Sequence, residues 1–377
     1  MLLALALASL FVWMGLLLAR DEFWRADVDD SAALPVPADW PDVVAVVPAR
    51  DEADSIAAVI SSLTAQDYPG RFRIILVDDG SSDGTADIAR AAAQGQGLTV
   101  LPGAPLAAGW TGKLAAVDQG IRAATQGSAP RYLWLTDADI VHSPDTLRSL
   151  VARADGDKRV LVSLMAKLRC ESLAERMLVP AFVFFFQMLY PFAAVNNPAR
   201  RIAAAAGGCM LVDRSALERA GGIAAIRSAL IDDCALGAAL KTEGSIWLGL
   251  TERSVSIRPY PRFADVGAMI ARSAYAQRGY SPVRLVGTVF GLALVYLAPP
   301  LLALFADGAA RWTALLTWLL MAALFQPILS RYRCSGLWGL GLPLIAAFYA
   351  GATLWSAWQY LNKRGGQWKG RVQAAIQ

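Results

Sequence analysis

Long apolar segments at both ends of the chain set the first limit on its fold. Residues 2–19 form an uncharged run of 18 residues, about 27 Å long as a helix and just enough to cross a bilayer. Three more apolar segments of spanning length lie near the C-terminus, at 283–305, 312–329 and 337–361. The stretch between the two ends has the composition of a soluble α/β domain. The sequence therefore predicts a membrane-anchored protein with one sizeable globular domain.

The predicted organisation has four parts. They are a transmembrane anchor at 1–20, a globular domain at 40–270, a membrane domain of about three hydrophobic segments at 283–361, and a basic tail at 362–377. A cleaved signal peptide is the alternative for the first part. The run has no basic residues before it and no clear small-x-small cleavage site, which favours an uncleaved anchor.

Composition and net charge indicate which classes of partner the chain can bind. An apolar fraction of 56% is too high for an ordinary soluble protein, and the net charge is only +4. The basic residues lie mostly beside the apolar segments, which suits the positive-inside rule and anionic lipid. We therefore expect a membrane partner and no nucleic acid. These residues are Arg20, Arg25, Arg331, Arg333, Lys363, Arg364, Lys369 and Arg371.

Few residues are available for zinc or for serine-hydrolase chemistry. The four cysteines form no CxxC pair, which predicts reduced thiols. His142 is the only histidine, and one histidine serves a zinc site or a Ser-His-Asp triad poorly. It is more simply interpreted as a loop residue.

Strand and helix patterns alternate through the first half of the chain. Apolar strands are predicted at 43–48, 73–77, 98–101 and 132–136. Helices are predicted to start near 54–55, 85, 113 and 143–145. This alternation predicts a largely parallel sheet covered by helices, with ligands bound beyond the carboxyl ends of the strands.

A further apolar stretch at 178–195 resembles a membrane span but contains Pro180, Gln187 and Pro191. A full crossing here would separate the polar clusters on its two sides. We expect an interfacial helix, and a buried core helix remains the alternative.

Two acidic pairs carry the chemistry. Asp137 and Asp139 follow an apolar strand in LWLTDADI, and side chains at i and i+2 of an extended chain point the same way. They could share one Mg²⁺ or Mn²⁺, or simply form a solvated turn. Asp232 and Asp233 open a helical pattern, where the helix dipole alone would favour them.

Taken in order, these motifs resemble glycosyltransferase family 2, whose domain has the GT-A fold. The series is ARDEA (49–53), VDDGSSDGT (77–85), GWTGK (109–113), TDAD (136–139) and IDD (231–233). The resemblance covers roughly residues 40 to 270. It implies a membrane-bound, inverting transferase that uses a UDP-sugar donor and a divalent metal.

The resemblance also implies donor-binding positions. The acid matching Asp79 would contact the uracil end of the donor. The stretch lining the nucleotide pocket would comprise Pro48, Ala49, Arg50 and Glu52.

Asp137 and Asp139 match the DxD motif, whose metal (Mg²⁺ or Mn²⁺) bridges the donor diphosphate. Lys113 could add a positive charge near that diphosphate, or be an ordinary surface lysine at a helix start. Asp233 matches the catalytic base, and Asp232 could orient it.

The chain departs from the family where many membrane synthases carry QxxRW. It reads ARSAYAQRGYS at 271–281, which argues against a processive synthase and leaves the roles of Arg272 and Arg278 open. The tail GGQWKGR at 365–371 resembles hopanoid-associated glycosyltransferases, which implies a lipid acceptor such as a hopanoid. A polyprenyl-phosphate sugar synthase and a non-catalytic nucleotide-binding scaffold are the alternatives.

We expect a multi-pass protein of the cell inner membrane with a cytoplasmic catalytic domain. Three full spans after that domain would place the basic tail outside, against the positive-inside rule. Either the rule is overridden, or the segment at 337–361 does not cross fully.

Overall fold

The computed structural model describes residues 1–362, 364–368 and 371–372. Half of the predicted basic tail, 362–377, lies outside these residues, including Lys369 and Gly370 of the GGQWKGR motif. The chain forms two compact units. The helical unit comprises 1–27, 170–193 and 259–366, and the sheet unit is built mainly from 28–169 and 194–258.

The sheet unit is organised around one eight-stranded sheet in the order β3-β2-β1-β4-β7-β6-β8-β5. Neighbours β3, β2, β1 and β4 are parallel, as are β6 and β8, whereas β7 and β5 run antiparallel to their partners. The strands are β1 Val43–Ala49, β2 Phe72–Asp78, β3 Leu98–Pro102, β4 Tyr132–Thr136, β5 Ile140–His142, β6 Leu161–Lys167, β7 Cys209–Asp213 and β8 Ile246–Ser256. A separate antiparallel pair joins β9 Gln367–Trp368 to β10 Arg371–Val372.

The helices of both units are numbered along the chain. They are α1 Leu2–Ala19, α2 Ile56–Thr64, α3 Thr85–Ala93, α4 Gly112–Ala124, α5 Thr146–Gly156, α6 Leu173–Leu189, α7 Phe192–Asn196, α8 Arg214–Arg219, α9 Asp232–Glu243, α10 Phe263–Ala274, α11 Pro282–Leu292, α12 Ala298–Phe305, α13 Gly308–Arg331 and α14 Leu342–Leu361.

The predicted α/β class and GT-A fold are confirmed. Strands β1 to β4 and helices α2 to α5 lie within a few residues of their predicted bounds. All seven residues of β1 are buried, as expected of a strand covered on both faces. The sheet is mixed rather than purely parallel, because β7 inserts antiparallel between β4 and β6.

Three helices of the helical unit are long and apolar enough to cross a membrane: Leu2–Ala19, Pro282–Phe305 and Gly308–Arg331. The second is continuous, because a π-helical turn at Ala293–Leu297 joins α11 to α12. The described residues thus contain two such helices after the sheet unit, where about three were expected. Helix α14 is not among them, since its second half carries polar and amphipathic side chains.

Helix α6 contains the apolar stretch that resembles a span. Residues Leu178, Val179, Val183 and Phe184 have no exposed surface, and Pro180 lies inside the helix. Tyr349 of α14 donates a hydrogen bond to the Leu178 carbonyl at 2.9 Å. The helix is packed within its own unit, which favours the buried-helix alternative over the interfacial one.

Candidate active site

The loops after β1 and β2 are tied together at the carboxyl edge of the sheet. Asp51 accepts a 2.8 Å hydrogen bond from the Ser82 backbone, and the Glu52 backbone donates to Thr85 Oγ1 at 2.8 Å. Asp51 adopts a left-handed φ of 50°, uncommon for a residue other than glycine. The ARDEA and VDDGSSDGT motifs therefore form one structure.

Arg50 and Asp79 lie together in this structure. The Arg50 guanidinium donates to the Asp79 carbonyl, and its Nη1 lies 3.8 Å from Asp79 Oδ2. Pro48 and Ala49 end the buried strand β1 beside them. Four of the predicted donor-binding residues are thus neighbours.

Asp79 also lines a cavity of about 240 Å³. Trp110 forms part of the wall, and Gln119 fixes the rim. The Gln119 amide donates to the Pro102 carbonyl at 2.8 Å and accepts from the Ala104 N–H at 2.9 Å. The cavity therefore combines an aromatic wall with a carboxylate acceptor.

Lys113 joins the two acidic motifs. Its Nζ lies 2.8 Å from Asp137 Oδ1 and 3.1 Å from Asp232 Oδ2. Burial alone would lower the pKa of Lys113, but the carboxylates of Asp137 and Asp232 raise it well above its ordinary value. Thr111 caps this helix start by accepting from the Leu114 N–H. Lys113 is therefore a largely buried lysine that pairs with both acidic motifs, rather than an ordinary surface lysine.

Asp139 is held by an arginine that the sequence analysis missed. Arg258 Nε donates to Asp139 Oδ2 at 2.6 Å, and Arg258 Nη2 donates to Glu52 Oε1 at 2.7 Å. Burial alone would lower the pKa of Arg258, but Asp139 and Glu52 raise it. The sequence signal was weak: a single arginine just beyond a long strand.

Glu52, which the resemblance placed in the nucleotide pocket, lies beside Arg258 and the DxD turn instead. It is 8% exposed, and the Ser55 hydroxyl donates both to Glu52 Oε2 at 3.1 Å and to the Ala138 carbonyl at 2.8 Å. Glu52 therefore supports Arg258 and the DxD turn, whereas Arg50 and Asp79 lie towards the cavity.

The DxD acids retain capacity for a cation. Lys113 contacts Asp137 through Oδ1, and Arg258 contacts Asp139 through Oδ2. Burial, followed by the charges of Asp139 and Asp232, raises the pKa of Asp137. No group of three His, Cys, Asp or Glu side chains within 1–362, 364–368 and 371–372 could hold a metal. Two carboxylates fit Mg²⁺ or Mn²⁺, which usually keep waters and phosphate oxygens as further ligands.

Asp233 lies in the first turn of α9 with both oxygens oriented. Its Oδ2 accepts from the Gly207 N–H at 3.0 Å and its Oδ1 from the Cys234 N–H at 2.7 Å. Burial, followed by the charge of Asp232, raises the pKa of Asp233 to about 6. A carboxylate with this pKa is a stronger base than an ordinary aspartate and is still largely ionised at neutral pH.

His142 is structural. It ends β5 and is buried, with Nε2 2.8 Å from Thr136 Oγ1 and Nδ1 2.9 Å from Ser254 Oγ. Burial lowers the pKa of His142 to about 3, so the ring is neutral at physiological pH. It is a buried strand residue rather than a loop residue.

The sequence model of glycosyl transferase family 2 matches residues 44–221. Glycosyltransferase AglE of Haloferax volcanii is 39% identical over 51 residues, which cover 13% of this chain and 17% of that protein. The solved mannosyltransferase PcManGT from Pyrobaculum calidifontis, in complex with GDP-Man and Mn²⁺, is 20% identical. That alignment has a TM-score of 0.58 and covers 95% of this chain and 99% of PcManGT.

The likeness to PcManGT shows a shared fold, and the family match includes the loops after β1, β2 and β4. The family model thus matches a little under half of the chain, and the sheet unit has the GT-A fold.

Proposed function

We propose that this protein transfers a sugar from a UDP-sugar to a hydroxyl group of a membrane lipid, with inversion at the anomeric carbon. The observation that carries the proposal is the single lysine that joins the two acidic motifs. Lys113 contacts both the DxD acid Asp137 and Asp232, the neighbour of the candidate base. One compact site thus contains groups for a diphosphate and a group for proton removal.

The proposed donor-binding site is supported by the family match and by the position of the DxD turn. Asp137 and Asp139 would hold the divalent metal, whose chemistry is Lewis-acid neutralisation of the leaving nucleoside diphosphate. Lys113 supplies a fixed positive charge beside them. Arg50 and Asp79 would bind the nucleoside, with the carboxylate accepting a ring N–H.

Asp233 would act as general base. It removes the proton from the acceptor hydroxyl while that oxygen forms a bond to the anomeric carbon. The bond from this carbon to the diphosphate oxygen breaks, and the nucleoside diphosphate departs with the electron pair. General-base assistance of this kind contributes typically ~10²–10⁴-fold.

The first experiment compares Asp233→Asn with Asp232→Asn in an assay of UDP release from the full chain, with and without Mn²⁺. We expect the first change to lower turnover by about 10²-fold or more, and the second to lower it much less. A phosphate acceptor needs no strong base, so a small effect of Asp233→Asn would favour the polyprenyl-phosphate synthase. Absence of turnover would favour the non-catalytic scaffold. Turnover that does not depend on Mn²⁺ would refute the metal site.

The choice of UDP is tested in the same assay. PcManGT was solved with GDP-Man, so UDP- and GDP-sugars are offered in parallel. We expect turnover with the UDP-sugar, and exclusive use of a GDP-sugar would contradict this part of the proposal.

A lipid acceptor is supported by the three helices that are long and apolar enough to cross a membrane. A hopanoid is the acceptor we favour, on the resemblance of the C-terminal tail. The placement we propose is the inner membrane with the sheet unit in the cytoplasm, where nucleotide sugars are found. Two spans after this unit would return the basic tail to the cytoplasm, in keeping with the positive-inside rule.

The acceptor is identified by comparing lipid extracts of a deletion strain with those of its complement. We expect one glycolipid to be missing from the deletion strain. Equal glycosylation of soluble alcohols and membrane lipid extracts by the purified protein would refute the lipid acceptor.

A further inference from the structure

The segment 275–284, here named the arginine loop, leads into the candidate span Pro282–Phe305 of the helical unit. The Arg278 guanidinium donates no hydrogen bond and forms no ion pair within the part of the chain that the structure describes, and its Nε is fully buried. A buried donor left without an acceptor destabilises the folded protein, and more so when it is charged. The Arg278 guanidinium therefore lacks a hydrogen-bond acceptor among the described residues.

The same loop contains a second arginine, Arg284. The exposed side chain of Arg284 folds back so that Nη1 would lie 3.1 Å from a Cβ on Gly279, the neighbour of Arg278. Arg284 also lacks an ion pair among the described residues. The sequence has no acidic residue between Asp265 and Asp307. The segment therefore carries two cations and supplies no counter-ion of its own.

Neutral polar and aromatic contacts fix the conformation of the loop. Gln277 donates to the Tyr190 hydroxyl at 2.5 Å, and the Tyr275 hydroxyl donates to the Tyr280 carbonyl at 2.9 Å. The Tyr280 ring stacks on Tyr360, with 4.4 Å between ring centroids. Burial lowers the pKa of Arg278, against a smaller opposing effect of Tyr190. These contacts fix the position of the loop and supply no negative charge, which leaves the arginines open to an anionic ligand.

The helix that follows indicates what kind of ligand this is. Val283, Val286 and Phe290 are 81%, 68% and 69% exposed. Their spacing of three and four residues puts them on one face of the helix, next in sequence to the arginines. A ligand with an anionic head and an apolar chain matches both features.

We propose that Arg278 and Arg284 bind the phosphate group of a membrane lipid, an inference that rests on the proposed membrane placement. The planar guanidinium fork matches phosphate oxygens and forms charge-assisted hydrogen bonds with them. The apolar face of α11 packs along the lipid chain. The arginine loop thereby fixes the depth of the helical unit at the membrane surface.

The experiment measures lipid binding to the full chain in uncharged detergent by native mass spectrometry, without any sugar donor. The probes are dioleoyl phosphatidylglycerol, diolein as the matched lipid without phosphate, and inorganic phosphate as a competitor. The variants are Arg278→Gln, Arg284→Gln and the conservative Arg278→Lys. Arg311→Gln is the control, because it removes an exposed arginine near the start of another candidate span.

We expect phosphatidylglycerol to bind more tightly than diolein, and Arg278→Gln and Arg284→Gln each to weaken it about tenfold, the loss of one charge-assisted bond. Arg311→Gln should change it little, and Arg278→Lys should lie between wild type and Arg278→Gln. If Arg278→Gln does not fold, Arg284→Gln and Arg278→Lys decide.

Equal binding of diolein would overturn the phosphate site, and full displacement by inorganic phosphate would overturn its assignment to a lipid. If Arg278→Gln and Arg311→Gln weakened lipid binding equally, the binding would reflect general surface charge and not a specific site. Because no donor is present, failure of the sugar-transfer proposal would not produce any of these results.

Discussion

Lys113 is the residue on which the charges of the site depend. Replacing it with Met leaves Asp137, Asp232 and Asp233 without their shared cation. Because its side chain is only 20% exposed, we expect a loss of about 2 kcal/mol of unfolding free energy, below the ~3–5 typical of fully buried pairs. Chemical denaturation measures this loss. Lys113→Arg keeps the charge, so equal destabilisation by both changes would show that packing dominates instead.

Asp233 gives the site a defined pH dependence. Since its pKa is raised to about 6 and only the ionised form accepts a proton, kcat/KM is expected to fall as the pH drops through 6. A pH profile of nucleotide release checks this. Asp232→Asn removes the neighbouring negative charge, so the inflection should move to lower pH. A profile that is flat across pH 6 would exclude Asp233 as the base.

Arg258 is expected to matter for both stability and donor binding. Its replacement by Gln leaves Glu52, 8% exposed, as a nearly buried carboxylate without its ion pair. We expect a loss of about 2–3 kcal/mol and weaker Mn²⁺-dependent UDP binding, measured by unfolding and calorimetry. Arg90→Gln is the control, because it breaks an equally short but exposed ion pair with Asp87, worth ~0–1 kcal/mol. Equal losses in the two variants would contradict this account.

At the scale of elements, the first half of the sheet was predictable and the second half was not. Strands β1 to β4 are short apolar runs that end in polar turns, and parallel buried strands have that pattern. Strand β5 has three residues and lies between a motif and a helix start. The Arg258 contacts arise because β8 pairs with β5, after which the Ile257 N–H donates to the Asp139 carbonyl. Such pairing across more than a hundred residues has no local signal in the sequence.

The acidic motifs, in contrast, could be placed from the sequence, because each follows a predicted strand or opens a predicted helix. The sequence could not show that Glu52 would face an arginine, or that Lys113 would join Asp137 to Asp232. Both depend on how separate loops pack.

Helix α9 is positioned by a glycine. A Cβ on Gly237 would lie 2.8 Å from the Ala204 carbonyl carbon, so Gly237→Ala must move α9 and with it Asp232 and Asp233. We expect a loss of about 1–3 kcal/mol and slower transfer, although alanine favours a helix by ~1 kcal/mol. Gly156→Ala in α5 is the control, since nothing lies within 4 Å of its Cβ position. Destabilisation by both changes would disprove the close-approach explanation.

At the scale of the whole molecule, the proposed topology predicts the side of each chain segment. Green fluorescent protein fused after residue 377 should fluoresce, and alkaline phosphatase at the same place should be inactive, because both report a cytoplasmic end. Fusions after residue 306, between the two candidate spans that follow the sheet unit, should give the opposite result. An active phosphatase at the C-terminus would mean that the segment at 337–361 crosses the membrane after all.

The lysine shared by the two acidic motifs has a consequence for donor binding. In the proposed mechanism, a bound diphosphate competes with Asp232 for Lys113, and Lys113 is a charge that lowers the pKa of Asp233. Donor binding would therefore raise the proton affinity of the base, and by linkage the two events share one coupling free energy. The affinity for the sugar donor would therefore depend on pH near the pKa of Asp233, and the donor would bind more tightly when this carboxyl is protonated.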